Sequence, residues 1–206
     1  MPNEAAAFWN ARYQADAYMY GTAPNEFLAA HASFLPAKGR ILCVAEGEGR
    51  NSVHLAAQGH NVAAFDLSAA GKKKAERLAA DQGVCLQYDV CTVQDYAFGT
   101  AVWDGIVSIF AHTDAPTRAD TLKKARQGLK PGGVFLLEAY HPKQISDGYG
   151  TGGPSDPSWL VTCAELQQAF AGFEIIHCTE AARTVHEGIA HTGQAFVSQF
   201  IARKPG

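Results

Sequence analysis

Apolar residues along this chain fall into short runs, separated by stretches in which they recur every three or four positions. Strand-like runs occupy residues 40–45, 61–65, 84–88, 105–110, 134–139, 173–178 and 195–202. Each has the short length that a buried strand takes. Helix-like spacing fills residues 51–58, 69–82 and 116–128, between the first five runs. Strands alternating with helices of this length predict βαβ units, and so a parallel sheet with helices on both faces. The last two runs differ, because residues 179–194 between them carry no helical spacing. They are expected to form a long loop joining an antiparallel pair that closes one edge of the sheet. The expectation is an α/β fold, mostly parallel, with an antiparallel edge strand.

Local signals refine the pattern. Lys130-Pro131-Gly132-Gly133 follows a basic helix end, where proline and glycine stop a helix. Thr162-Cys163-Ala164-Glu165 has the form of a capping box, which opens a helix over residues 164–170. Residues 1–35 are expected to supply N-terminal cap helices, with two helical pieces broken at residues 21–24. Residues 141–158 are rich in proline and glycine and predict a long exposed loop, here expected to be an active-site loop.

Composition narrows the class. A chain of 206 residues, 47% hydrophobic and 18% charged, fits a single domain spanning residues 1–206. A formal net charge of −3 gives no reason to expect nucleic acid or an anionic membrane as partner. A small-molecule substrate is expected instead. Cysteines stand at 43, 85, 91, 163 and 178, with no pair at zinc or redox spacing. Free thiols in a reducing compartment, no metal, and no apolar run long enough to span a bilayer all point to the cytoplasm.

The strongest chemical signal is the stretch from Ile41 to Ser52, an apolar strand, a turn through Ala45, Glu46, Gly47, Glu48 and Gly49, and a helix start with Asn51. Glycines allow unusual backbone angles and close approach of a ligand, and the helix offers unpaired N–H groups. Asp66, followed by Leu67, ends the second run at the distance where an acid accepts ribose hydroxyls. Asp89 and Val90 follow the third run, where an adenine amino group would sit. A nicotinamide dinucleotide is the rival, but Ser52 stands where its fingerprint wants a third glycine. Carboxylates at Glu46 and Glu48 would also repel a pyrophosphate, whereas the ammonium end of S-adenosylmethionine would not be repelled.

These motifs resemble those of a known family. Residues 18–27 (YMYGTAPNEF), 45–51 (AEGEGRN), 103–110 (WDGIVSIF), 129–133 (LKPGG) and 149–154 (YGTGGP), with His186-Glu187-Gly188 and His191-Thr192-Gly193, are similar in order and spacing to class I S-adenosylmethionine-dependent methyltransferases. The likeness is greatest to a bacterial branch related to tellurite-resistance and thiopurine methyltransferases. The resemblance implies a Rossmann-like seven-stranded sheet of order 3-2-1-4-5-7-6. It implies that Ala45, Gly47 and Gly49 line the methionine and ribose side, that Asp66 takes the ribose and Asp89 with Val90 the adenine, and that Phe110 borders the sulfonium. The chain departs from the family at Cys43, where an acid is usual, at Ala45, usually glycine, and at Glu46, often cysteine. Glu46 is expected to stand in partly for the missing acid.

Methyl transfer to a soft nucleophile such as a thiol or chalcogen compound requires little beyond proximity and orientation. The candidates around the acceptor are His112, Tyr20, Tyr140, His141, His186 and His191. Two other readings accompany methyl transfer, a cofactor-binding sensor or regulator without turnover and an NAD(P)-dependent oxidoreductase. Trp103 is expected to cover the sheet edge.

Overall fold

In the computed structural model, which describes residues 2–206, the first half of the chain forms α1 (Pro2–Tyr13), α2 (Glu26–His31), a 3-10 turn (Ala32–Phe34), β1 (Arg40–Val44), α3 (Arg50–Ala57), β2 (Asn61–Asp66), α4 (Ala69–Asp81) and β3 (Gln87–Val90). The second half forms β4 (Trp103–Ile109), α5 (Ala115–Gly128), β5 (Leu129–Tyr140), α6 (Lys143–Ser146), a 3-10 turn (Pro157–Trp159), α7 (Cys163–Ala169), β6 (Glu174–His186) and β7 (Thr192–Arg203). All seven strands join one sheet of order β3-β2-β1-β4-β5-β7-β6. Pairings from β3 through β5 are parallel, and β7 runs antiparallel to both β5 and β6. The antiparallel pair therefore closes one edge, with β6 outermost.

Alternation along the central strands divides the core into two layers. Leu42 and Val44 of β1 pack with Phe135, Leu166 and Phe170, on the face covered by α5 and α7. Ile41 and Cys43 pack with Leu28, Leu55 and Ala75, on the face covered by α2, α3 and α4. Helices thus lie on both faces. No helix among the described residues is long and apolar enough to cross a membrane.

Several expectations are corrected. The loop expected over residues 179–194 is mostly strand, since β6 and β7 pair from Glu174↔Arg203 to His186↔Thr192. Its polar residues alternate across an exposed two-stranded ribbon, a pattern that resembles loop composition. The third strand lies further along than expected, so Asp89 is part of β3. Trp103 is buried in the core, its indole N–H donating to the Phe98 carbonyl (2.7 Å), and does not cover an edge. The N-terminal segment is interrupted over residues 14–25, a longer break than the glycine and proline positions suggest. The 141–158 segment holds α6 and a 3-10 turn, and buried Gln144 pins it by donating to Thr151 Oγ1 (2.8 Å) and accepting from the Phe196 amide (2.8 Å).

Because β1 pairs with β2 on one side and β4 on the other, the chain leaves β1 and its neighbours in opposite directions. Open α/β sheets bind ligands in the crevice at such a point, beyond the carboxyl ends of the strands.

Candidate functional site

The turn after β1 has three left-handed positions, Ala45 (φ 49°), Gly47 (φ 63°) and Gly49 (φ 92°). Left-handed geometry costs a residue with a Cβ about 1–2 kcal/mol, so Ala45 is strained where the resembling family carries glycine. The two glycines are also fixed by packing: a Cβ on Gly49 would lie 2.5 Å from the Ala75 Cβ of α4, and one on Gly47 would lie 2.8 Å from Tyr13 Oη. Close packing of α1 and α4 thus accounts for both, where the sequence suggested approach of a ligand. The Tyr88 hydroxyl donates to the Gly47 carbonyl (2.6 Å) and fastens the turn to β3.

Glu46 and Glu48, which the sequence places together, do different things. Glu46 Oε1 accepts the amides of Asn51 (2.9 Å) and Ser52 (2.7 Å) and so fills the N-terminus of α3. Burial pushes its pKa up to about 7, against these hydrogen bonds. Cys43, raised first by its own burial, also feels the Glu46 charge. Glu46 therefore acts electrostatically on the position where the family's acid stands. Glu48 instead pairs with Lys74 and accepts the amides of Met19 (2.8 Å) and Tyr20 (3.3 Å), which docks residues 14–25 as a strap.

Asp66 is buried at the end of β2. It accepts the amides of Gly47 (3.0 Å) and Ser68 (2.9 Å), and burial pushes its pKa up to about 6. Ser68 caps α4 by accepting the Gly71 amide (3.0 Å), so that role does not fall to Asp66. Leu67 is half-buried between them, and Asp89 and Val90 are exposed. S-adenosylmethionine fits this set. Glu46 offers charge for an ammonium, and Asp66 keeps acceptor capacity for a hydroxyl, since a carboxylate has about four acceptor sites. Exposed Asp89 and apolar Val90 can edge an adenine.

Beyond β4 the structure gathers a cluster of rings. Phe110 takes a left-handed backbone (φ 52°), costly for a bulky residue and of a kind concentrated at functional sites. Its ring lies 4.4 Å from His191, 4.9 Å from Tyr140 and 5.9 Å from His112, centroid to centroid. Tyr20 of the strap stands 6.4 Å from His191.

Three of the candidates have polar atoms engaged within the protein. His112 Nε2 accepts the Tyr140 amide (3.1 Å), and burial pushes its pKa down to about 3, so the ring is neutral with that acceptor occupied. The Tyr140 hydroxyl donates toward the Thr151 carbonyl (3.2 Å), and burial pushes its pKa up to about 12. Its ring serves as wall. His141 belongs to the opposite flank, with Nδ1 accepting the Lys143 amide (3.0 Å) and its ring 5.2 Å from Phe196. His186 is exposed at the end of β6.

A buried polar network escaped the sequence. Glu187 Oε2 accepts from Arg50 (2.8 Å) and faces His191 Nδ1 (2.8 Å), while Oε1 accepts from Asn25 (2.8 Å) and Arg183 (3.0 Å). Burial opposes its charge, but the His191 hydrogen bond and the Arg50 guanidinium outweigh that and hold the carboxyl at about 2. Glu138, also buried, accepts from Asn25 (2.6 Å) and pairs with Arg183 (2.9 Å). The network joins strap, α3, β5 and the β6–β7 tip. Arginine and glutamate ordinarily signal surface, so only the motif around residues 186–193 could have drawn attention to it.

Comparison with known proteins agrees with this fold. Residues 41–133 match the family model of a methyltransferase domain. No curated protein matches the sequence. Among solved structures, the chain is similar to a protein studied in the conversion of a disulfide bond into a thioacetal group during echinomycin biosynthesis (TM-score 0.76, 16% identity, covering 97% of this chain and 91% of that one). It is also similar to TehB from Haemophilus influenzae (0.70, 18%, 97% and 66%) and to a SAM-dependent methyltransferase from Anabaena variabilis (0.71, 15%, 98% and 94%). The chain thus has the fold of SAM-dependent methyltransferases and carries a methyltransferase-domain match across its glycine turn, a match that implies S-adenosylmethionine as cofactor.

Proposed function

We propose that this protein methylates a small-molecule acceptor at a soft nucleophilic atom, a thiol or another chalcogen centre, in the cytoplasm, where its five free cysteines would stay reduced. The observation that carries the cofactor assignment is the Glu46 carboxylate at the N-terminus of α3. That position would otherwise attract a phosphate, and a carboxylate there repels a dinucleotide while attracting an ammonium. The solved relative concerned with a disulfide and a thioacetal supports sulfur chemistry, as do the apolar and aromatic walls of the ring cluster.

When bound, S-adenosylmethionine supplies an electrophilic methyl group on a sulfonium. The chain's own residues do the rest. Glu46 holds the ammonium, Asp66 the ribose and Asp89 the adenine edge. Phe110, fixed by its unusual backbone, sets one wall against the reacting centre. Tyr20 and the strap exclude water, so that proximity and orientation carry the rate.

Calorimetry with S-adenosylmethionine, S-adenosylhomocysteine and NAD, followed by a panel of thiol, chalcogen oxyanion and amine acceptors scored for S-adenosylhomocysteine release, tests this. Asp66→Ala is expected to weaken cofactor binding about ten- to a hundredfold, the loss of a charge-assisted hydrogen bond worth about 1.5–3 kcal/mol. Tighter binding of NAD, or release with none of the acceptors, would overturn the proposal.

A further inference from the structure

His191 is buried, 3% exposed, and its Nε2 has no hydrogen-bond partner. Native proteins rarely leave a buried polar atom unpaired, and each instance calls for a cause. The other ring nitrogen, Nδ1, meets Glu187 Oε2 at 2.8 Å. An ionised carboxylate can only accept, so Nδ1 must carry the hydrogen, and a neutral ring then presents a bare lone pair at Nε2. Glu187 is locked in place by Arg50, Arg183 and Asn25, so the imidazole has no alternative tautomer of comparable stability. The His191 ring sits among the rings of Phe110, Tyr140 and Tyr20, and the Tyr20 ring is half-exposed.

We propose that His191, oriented by Glu187, takes the proton of the methyl acceptor, and that the acceptor is therefore a neutral protic nucleophile, a thiol, rather than a pre-ionised oxyanion. This rests on the methyl-transfer reading above. The charge pattern agrees with it. Arg50 and Arg183 are the guanidinium groups of this network, and Glu187, Glu138 and Glu26 pair them. An oxyanion would have to compete with those carboxylates. In the step, the thiol's sulfur forms a bond to the methyl carbon, and the electron pair of the breaking carbon–sulfur bond stays on the departing thioether. The thiol proton passes to His191 Nε2, leaving an imidazolium paired with Glu187, and then to water.

The titratable and charged groups around His191 are Glu187 with Arg50 and Arg183 behind it, His112 beyond Phe110, Tyr140 on β5, and Tyr20 of the strap with the Arg12 guanidinium 5.6 Å above its ring. His112 stays neutral above about pH 3 and Tyr140 below about pH 12, so neither produces a transition near neutrality.

Two measurements decide the assignment. In the unliganded wild-type protein, nitrogen NMR of labelled histidine should show His191 as the Nδ1–H tautomer, with Nε2 bare. An Nε2–H tautomer would overturn the proposal without any reference to activity. In His191→Asn, single-turnover methylation of a thiol at pH 7 should fall about a hundredfold or more, the range of general-base contributions, with S-adenosylhomocysteine affinity within threefold of wild type. The residual rate should climb with pH as the thiol ionises, and a selenol, already ionised at pH 7, should lose less than fivefold. Equal losses on thiol and selenol, or a thiol loss under fivefold, would overturn the assignment. Failure of the wild type to methylate any acceptor would instead remove the reading on which this rests.

Discussion

Replacing Glu46 by glutamine separates the charge of this side chain from its hydrogen bonds. The amide oxygen of glutamine can still accept the Asn51 and Ser52 amides, so the cap on α3 survives. The rise of the Glu46 pKa from 4.5 to about 7 corresponds to about 3 kcal/mol against the ionised form. The side chain is only half-buried, and solvent screening brings this to about 2 kcal/mol. Below pH 4.5 the carboxyl is protonated in folded and unfolded chains alike, and no penalty exists. As pH rises from 4.5 to about 7 the unfolded chain loses this proton while the folded chain keeps it, so stability falls across that window and the full cost stands above it. Glu46→Gln should therefore raise the unfolding midpoint at pH 8 by roughly 4–8 °C and leave it unchanged at pH 4.5. It should also weaken binding of the cofactor's ammonium end. Thermal unfolding at the two pH values, with calorimetry at pH 8, makes the comparison. An equal shift at both pH values, or a loss of stability at pH 8, would refute the argument that this carboxylate is held charged against the fold for the sake of a cation.

The strain at Ala45 predicts asymmetric substitutions. Ala45→Gly should change stability by less than about 0.5 kcal/mol, because relief of the left-handed alanine is offset by the greater freedom of unfolded glycine. Ala45→Val should cost about 2 kcal/mol by denaturant titration, since a β-branched residue tolerates that geometry least. At Gly188 (φ 69°), a Cβ would fall on the backbone of Gly21 and Tyr20. Gly188→Ala should speed amide exchange across residues 17–25 while β1 and β4 keep their protection, and unchanged exchange there would contradict the docking of strap on hairpin.

Legibility from sequence followed the range of the interactions involved. The β1 turn and the Thr162 cap with Glu165 depend on neighbours within a few positions, and their residue types reveal them. The parallel sheet with its antiparallel edge followed from strand and helix alternation, and the strand order from the family resemblance alone. The lengths of β6 and β7 did not, because a solvent-facing ribbon alternates weakly and Gln194, Thr184 and Arg183 look like loop. The site divided in the same way. Asp66 and the glycine turn could be placed side by side from sequence because they lie on one βαβ unit. Glu187 was not, since two of its partners, Asn25 and Arg50, come from distant stretches of the chain. His112 and Tyr140 attracted attention by chemical type, and only the structure shows that their polar atoms bond within the protein.

The amide of Asn25 has consequences for the order in which the molecule is made. It is buried, and its donors are satisfied by Glu138 and Glu187, the latter 162 residues further along. At a synthesis rate of about 5–20 residues per second, roughly 8–32 s separate the emergence of this side chain from that of its second acceptor. Throughout that interval β1 through β4 can pair, but residues 14–25 have nowhere complete to dock. The strap must stay hydrated and mobile on the growing chain until the β6–β7 tip arrives. A nascent chain stalled before residue 187 would thus present a glycine turn without its cover, open to proteases at the strap and unable to enclose an acceptor.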